Sequence, residues 1–407
     1  MSKKWVEHEG LRWVERGIVT REQYEQIVGL YEDKKHAIGI LPLLGAILVG
    51  LGILSFVAAN WQDIPQLARL ILIATVMAAF YTGGEMLLRK GHDKLGIAMV
   101  ALGLTAFGSG IILTGQMFHL VAYDITSFIV WGIAGTVLTY IYRSRFLYLL
   151  SLLIFTSAQI YSSLEMHHFS GIAFAIMIVG LGYYGWKRQN ALLTWCFSLS
   201  FVIQSLILVA SKDWKALWFF VPVMALYTAG DYLKDRSPGY AVQSVPLIAA
   251  FVFDVIAVLF YDDTGVIRLR ELLPGATNFI LIMLLLFAVS VYGKLIHKRA
   301  SSAFEWILVV PFAYLPSGAA VLYLLALFFF ALYVLWRGYI EEWRFKINFG
   351  TVLFICATMV AYGKLTWAFM DKSLFFILGG LLLLLLSWFL NRRKKQFFDE
   401  VKGGGSS

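Results

Sequence analysis

Residues 240–260 read YAVQSVPLIAAFVFDVIAVLF, and this stretch decides the fold, because it is almost wholly apolar and Asp254 is its only charged residue. A transmembrane helix needs about 20 predominantly apolar residues to cross roughly 30 Å of hydrocarbon, and this run has that length. Similar runs recur along the whole chain, separated by short polar breaks. We therefore expect an all-α, polytopic integral membrane protein.

The composition also indicates a membrane environment. The chain is 60% hydrophobic and only 14% charged, with a mean hydropathy of +0.75. Soluble chains are about 45–50% apolar and about 25% charged. The runs lack the roughly ten-residue alternation of apolar and polar positions that marks a membrane β-barrel. The two cysteines, Cys196 and Cys356, lie inside apolar runs, so we expect no disulfide framework.

The apolar runs predict a bundle of about fourteen transmembrane helices. The patterns of the fourth, fifth and eleventh runs are the weakest, so counts of twelve or thirteen stay open. The predicted spans are residues 38–59, 67–88, 95–115, 126–142, 146–162, 170–186, 191–210, 214–233, 240–260, 275–296, 302–316, 318–337, 347–365 and 371–390.

Composition divides the chain into four parts. We expect residues 1–37 to form a short cytoplasmic amphipathic helical hairpin and residues 38–390 to form the transmembrane helical bundle. Residues 391–402 form a basic cytoplasmic tail, and residues 403–407, Gly-Gly-Gly-Ser-Ser, look like a scar left by cloning. The first 37 residues are too charged for a signal peptide, so the first membrane helix should stay in the mature protein.

Lysine and arginine are distributed unevenly between alternate breaks. With the N-terminus inside, the inside segments hold 27 of the 34 basic residues, Lys294 among them, and the outside breaks hold six. Because basic residues tend to remain on the cytoplasmic side, we expect a bacterial inner-membrane protein with both termini in the cytoplasm. The net charge of +9 is spread over eight loops rather than one face, which argues against a nucleic-acid partner.

The N-terminal segment carries the signals of two short helices. Gly17 can end a first helix, and Thr20 with Gln23 has the capping-box spacing that starts a second. Apolar residues recur among charged ones at helical spacing. The hairpin could be a cap that lies on the bundle or the membrane surface, or a module that docks a cytoplasmic protein partner.

A family resemblance is found in the first third of the chain. The pattern W-x-x-x-G-I-x-T-x-E-Q, which begins at Trp13, precedes a glycine-rich first helix that ends in ANWQDIP at residues 59–65. The third helix closes with GQMFH at residues 115–119. These features resemble the bacterial membrane family catalogued as domain of unknown function 2157, most clearly over residues 5–145. Phe118 stands where the family leads us to expect tyrosine, and the family name implies no reaction.

Polar residues cluster at the predicted outer ends of the first, third and fourth helices. Polar side chains at membrane depth are costly and usually face a partner or a water-filled cavity. We therefore expect them to line an outward-facing cavity, in which His119 could change charge near neutral pH. Alternatively, they cap helix ends, join an aromatic belt or tie helices together. These residues are Asn60, Trp61, Asp63, Gln116, His119 and Asp124.

We expect Asp254 to line the same cavity, about 12 Å from the outer end of its helix by helical rise. A carboxyl group at that depth is either protonated or paired with a cation, and it is a candidate for proton or cation coupling. The alternative is a neutral acid that is hydrogen-bonded to a neighbouring helix. By contrast, we expect Glu85, Asp231 and Glu305 to reach water, since they lie within about two turns of the cytoplasmic ends.

Three prolines are candidate helix breaks. Pro222 is expected in the middle of the eighth helix, while Pro311 and Pro316 fall in the eleventh. Transporters use interrupted helices to hold ions or substrates, although prolines also kink membrane helices that bind nothing.

The motifs indicate neither a metal site nor a cofactor, because no P-loop, dinucleotide fingerprint or catalytic serine motif is present. Whether the protein is an enzyme is left open, and no catalytic set favours it. The leading hypothesis is a transporter or a lipid-handling, flippase-like protein that is surrounded by membrane lipids and binds a small polar or lipid substrate. The alternative is a membrane sensor or assembly scaffold that docks a cytoplasmic partner through residues 1–37.

Overall fold

A computed structural model describes most of the chain between residues 10 and 388. The continuous described ranges are 64–119, 124–232, 236–260, 273–296, 300–315 and 318–366, joined by scattered residues within 10–24, 44–59 and 373–388. Within these ranges every regular element is helical, as predicted. The chain divides into two compact units, Met1–Leu150 and Ser151–Ser407.

The N-terminal residues that are described adopt the predicted local geometry. Gly17 follows a short helical turn with a φ of +68°, a conformation that suits glycine. The Thr20 N–H donates to Gln23 Oε1 at 2.9 Å and the Gln23 N–H donates to Thr20 Oγ1 at 3.3 Å, so the capping box is formed. The cytoplasmic location of this segment stays a prediction.

The first unit is built on close contact between two helices, α1 (Gln66–Arg89) and α2 (Asp93–Met117). A Cβ on Gly84 would lie 3.0 Å from the carbonyl oxygen of Gly96, and a Cβ on Gly96 would lie 2.9 Å from that of Gly84. The two backbones can approach because neither residue has a side chain. Helix α3 (Thr126–Tyr142) joins them, with Trp131 Nε1 donating to the carbonyl of Leu104 at 2.8 Å.

The boundary between the units falls within α4 (Arg145–Met166). The second unit continues with α5, whose α-helical ends Gly171–Ile176 and Tyr183–Arg188 flank a π-helical segment, Met177–Gly182. Short 3₁₀ helices lie at Ala216–Phe219, Ala300–Val309 and Phe312–Tyr314. The other helices are α6 (Ala191–Ser211), α7 (Phe220–Asp231), α8 (Arg236–Phe260), α9 (Ala276–Ile296), α10 (Ala319–Ile340) and α11 (Arg344–Thr366).

The helical membrane bundle is confirmed. Eight of the described helices are long and apolar enough to cross a bilayer, and two shorter apolar ones lie at Thr126–Tyr142 and Ala216–Asp231. The total of fourteen spans stays a prediction, because much of the first and last predicted spans lies outside the described residues.

The predicted helix breaks take a different form in the structure. Pro222 lies in the first turn of α7, just after the point where the 3₁₀ helix Ala216–Phe219 passes directly into the α-helix. Pro311 separates the two 3₁₀ helices that replace the predicted eleventh span, and Pro316 lies outside the described residues. Pro246, which was not singled out from the sequence, lies inside the continuous helix α8.

Candidate functional site

The second unit brings two polar helix faces together at the end of α7. Tyr227 and Asp231 stand four residues apart on this helix, so their side chains share one face. Ser290 and Lys294 share a face of α9 in the same way. At Gly293 of α9, a Cβ would lie 3.2 Å from the Cβ of Asp231, which is tight. The absence of a side chain there lets α9 approach α7.

Lys294 and Asp231 form a buried ion pair. Lys294 Nζ lies 2.5 Å from Asp231 Oδ1, and the two side chains are 0% and 1% exposed. Burying an ion costs several kcal/mol, so such a pair persists only when hydrogen bonds satisfy both members. Asp231 meets this condition, because Gln243 Nε2 donates to Oδ1 and Ser290 Oγ donates to Oδ2, each at 2.6 Å. Trp306 Nε1 in turn donates to Ser290 Oγ at 3.1 Å.

Tyr227 extends this network toward a second carboxyl group. Lys294 Nζ donates to the Tyr227 hydroxyl at 2.9 Å, and that hydroxyl donates to Glu305 Oε2 at 2.5 Å. The ammonium also lies 4.4 Å from the centroid of the Tyr227 ring, within cation–π range. Glu305, on the 3₁₀ helix Ala300–Val309, is half-buried. We call Tyr227, Asp231, Lys294 and Glu305 the ionic cluster.

The expectation that Asp231 reaches water is wrong. Its helix end is covered by α8 and α9, and Lys294, which the charge pattern had assigned to a cytoplasmic break, provides its counter-ion instead. Glu305 keeps partial exposure but is hydrogen-bonded within the cluster. The expectation failed because both groups lie on helix faces that pack against a neighbouring helix.

The surroundings of Asp254, on α8, contrast with those of Asp231. Its side chain is fully buried, and neither carboxyl oxygen has a hydrogen-bond partner among the described residues. The residues one turn away on the same helix face are all buried and apolar: Ala250, Phe251, Ala257 and Val258. A lone carboxylate in such surroundings is prohibitively costly, so this group carries a proton or contacts a cation.

A line of uncharged polar groups ties α4, α5 and α6 together. Gln159 Nε2 donates to the carbonyl of Ser170 at 2.7 Å, and the Ser170 N–H donates to Gln159 Oε1 at 3.1 Å. Gln204 Nε2 lies 2.8 Å from the sulfur of Met177, the first residue of the π-helical segment, and 3.1 Å from Ser200 Oγ. These contacts hold helices together and bring no charge into the core.

Three residues of the predicted cavity lie where α2 ends and α3 begins in the first unit. Gln116 and His119 are exposed, and His119 closes α2 with a φ of 49°. Asp124 Oδ1 accepts the Thr126 N–H at 2.9 Å and so caps α3. Hydrogen bonds from the Thr126 side chain and backbone lower the pKa of the Asp124 carboxyl group. The observed contacts of Asp124 are those of a helix cap.

The remaining predicted cavity residues, Asn60, Trp61 and Asp63, lie outside the described residues. Asp254 belongs to the second unit and His119 to the first. A cavity that all of these residues line stays a prediction.

Two members of the ionic cluster, Asp231 and Glu305, were named from the sequence, but both were expected to reach water. Tyr227, Gln243 and Ser290 were not singled out, and Lys294 was counted as a loop residue. The available signal was spacing: Tyr227 with Asp231, and Ser290 with Lys294, each place two polar groups on one face of a predicted helix. Nothing in the spacing says which helix the face meets.

The family match found by comparison with known proteins lies within the first unit. No curated protein and no solved structure matches the chain. A family described as predicted membrane protein (DUF2157) matches residues 11–148, which confirms the resemblance seen in the sequence. Asp254 and the ionic cluster lie beyond the match. The chain is thus a multi-pass membrane protein whose residues 11–148 match the DUF2157 family.

Proposed function

We propose that this protein is a proton- or cation-coupled transporter, or a lipid-handling protein of flippase type, and that Asp254 is its coupling group. The observation that carries this proposal is the burial of the Asp254 carboxyl group with neither oxygen bonded among the described residues. Ionisable residues inside membrane helices are rare, and they commonly mark ion pathways and proton relays.

A purely structural role explains Asp254 poorly. A buried polar group stabilises a fold through the hydrogen bonds that it makes, and one without partners destabilises it by about 1–3 kcal/mol. Leucine would serve packing at this position as well or better. A role in transport would explain why a destabilising group is present. In such a role the carboxyl group exchanges its proton for a cation, or releases it, during the transport cycle.

Interrupted helices in the second unit also favour transport. The segment after α9 is a broken 3₁₀ helix, and α5 contains a π-helical segment. Pro246 lies about two turns before Asp254 in α8, and a proline inside a helix removes the hydrogen bond to the carbonyl four residues earlier. Transporters place binding sites beside such breaks. In our proposal the substrate enters through an outward-facing cavity with Asn60, Trp61, Asp63, Gln116, His119 and Asp124 along it.

The test uses the full chain in liposomes that carry a headgroup-labelled phospholipid and an entrapped pH-sensitive dye. An external quencher reports lipid movement between leaflets, and the dye reports proton entry. Wild type, Asp254→Asn and Asp254→Glu are compared over a pH series, with Asp93→Asn as a control because Asp93 is an exposed carboxylate at the start of α2.

We expect wild type and Asp93→Asn to move lipid or protons in a pH-dependent manner. Asp254→Asn should abolish that pH dependence, and Asp254→Glu should retain part of it. Identical pH profiles for wild type and Asp254→Asn, with both variants folded, would remove Asp254 from this role.

A second candidate function is the sensor or scaffold, which is favoured by exposed charged residues near the N-terminus. Arg12, Glu15, Arg16, Arg21 and Glu22 are all exposed around the capping box. Deletion of residues 1–36 discriminates between the two functions. A scaffold should lose its bound cytoplasmic partner in a pulldown, whereas a transporter should keep its pH-dependent activity.

A further inference from the structure

We infer that the ionic cluster is a second proton-binding site, in which Glu305 takes up the proton and Tyr227 connects it to the buried Lys294–Asp231 pair. The inference rests on residues other than Asp254 and stands or falls independently of the proposed transport.

The positive and negative groups of the ionic cluster are unequal in number. The cluster contains two carboxyl groups and one ammonium group, all linked by hydrogen bonds. With all three ionised it carries a net charge of −1, and two of the three groups, Asp231 and Lys294, are buried. An uncompensated buried charge is costly, and proton uptake is the common way in which such a group becomes neutral. One proton makes the cluster neutral.

The two carboxyl groups of the cluster differ in the number of hydrogen bonds that they accept. Asp231 accepts hydrogen bonds from Lys294, Gln243 and Ser290, which stabilise its ionised form. Glu305 has one hydrogen-bond donor among the described residues, the Tyr227 hydroxyl. Asp231 is buried, whereas Glu305 is half-buried and lies at the edge of the cluster. Glu305 is therefore the carboxylate with fewer stabilising hydrogen bonds and the more accessible of the two.

The proton can be placed without breaking any bond that the structure contains. Tyr227 already donates its proton to Oε2 of Glu305, so the incoming proton binds Oε1 and converts the carboxylate to a carboxylic acid. Lys294 keeps all of its protons, and its bonds to Asp231 and Tyr227 are unchanged. Release is the reverse step, in which the Oε1–H bond breaks and the proton leaves.

Other ionisable groups face Glu305 or its partner Tyr227 from the surrounding helices. They are Tyr240 on α8, Tyr333 on α10 and Lys346 on α11, in addition to Asp231 and Lys294. Lys346 is the only further cation among them, and its ammonium is hydrogen-bonded to Glu341 at 3.2 Å. Its charge is thus shared with a carboxylate outside the cluster.

Infrared spectroscopy of the full chain in lipid nanodiscs tests the inference, because protonated carboxylic acids have a distinct C=O stretching band. Spectra are recorded over a pH series for wild type, Glu305→Gln, Tyr227→Phe and Asp254→Asn. Glu165→Gln is the matched control, since Glu165 is exposed at the end of α4. We expect the wild-type acid band to have a pH-dependent part that disappears as pH rises, is lost in Glu305→Gln, and is kept in Asp254→Asn and Glu165→Gln.

Tyr227→Phe separates proton binding from a structural role. It removes the donor that stabilises the Glu305 carboxylate, so the band should persist and its midpoint should move up by roughly one pH unit. Should Glu305→Gln fail to fold, Glu305→Asp should keep a pH-dependent band at a shifted midpoint.

A wild-type spectrum with no pH-dependent acid band, or a band that survives unchanged in folded Glu305→Gln, would overturn the inference. A band that Asp254→Asn alone removes also counts against it. None of these readouts requires transport activity, so failure of the proposed function would leave them unaffected.

Discussion

The surroundings of Asp231 and Asp254 differ in almost every respect, although both aspartates are buried in the second unit. Asp231 has three hydrogen-bond donors from two neighbouring helices, and one of them is its lysine counter-ion, whereas Asp254 has no partner among the described residues. Gln243 and Asp254 both lie on α8, so the two surroundings are separated by about 16 Å along that helix axis. Burial alone thus says little about a membrane carboxylate, and its partners decide what its removal would do.

The largest loss of stability is expected on substitution of Lys294. Lys294→Met leaves two carboxyl groups without their ammonium, and removal of one member of a buried pair costs about 3–5 kcal/mol. The free energy of unfolding, measured by denaturation in mixed micelles, should fall by that amount. Lys90→Met, at an exposed turn, is the control.

A double variant sharpens this result. Lys294→Met combined with Asp231→Leu removes both charges and should recover most of the lost stability, since apolar replacement of a whole buried pair is often neutral. Equal stability of Lys294→Met and the Lys90→Met control would contradict the buried-pair interpretation.

The next largest effect is expected at Tyr227. Tyr227→Phe removes two hydrogen bonds to charged groups but keeps the ring under the Lys294 ammonium, so we expect a loss of about 1.5–3 kcal/mol in the same measurement. Tyr183→Phe provides the comparison, because Tyr183 is half-exposed. A loss no greater than that of Tyr183→Phe would show that the hydrogen bonds of the Tyr227 hydroxyl do not stabilise the fold.

Substitution of Asp254 should cause almost no loss of stability of the protein. Asp254→Asn and Asp254→Leu remove a carboxyl group that makes no hydrogen bond among the described residues, so the free energy of unfolding should change by less than about 1 kcal/mol or rise. Asp231→Asn, measured alongside, should lower it clearly. If Asp254→Asn destabilised the protein as much as Asp231→Asn, Asp254 would have a partner in the chain and the contrast would fail.

The smallest effect concerns a third aspartate, Asp124, which is exposed and bonded to its own helix. Its pKa is lowered from 3.8 by Thr126, so the ionised cap stabilises the folded state at neutral pH and this contribution is lost as pH falls through the folded-state pKa. Thermal midpoints of wild type and Asp124→Asn should differ in pH dependence only in the acid range. Parallel curves throughout that range would exclude the cap effect.

The candidate site could be predicted only in part. Asp254 stood out because a single carboxylate within a long apolar run is visible in the sequence. The ionic cluster was not predicted, because Lys294 lies at the end of its run and resembled one more cytoplasmic lysine. The 3₁₀ geometry of Ala300–Val309 was missed as well, since an apolar run has the same hydropathy whichever helix it forms.

The sequence by itself determined that this chain is a helical membrane protein, because hydropathy and helix length are local properties of each run. It also placed the start of the second N-terminal helix at Thr20, through a cap that depends on four neighbouring residues. Only the tertiary structure decided that Asp231 is paired and that Asp254 has no partner among the described residues. That outcome depends on how each helix is rotated and which helix it meets, and glycines such as Gly293 set those contacts by permitting close approach.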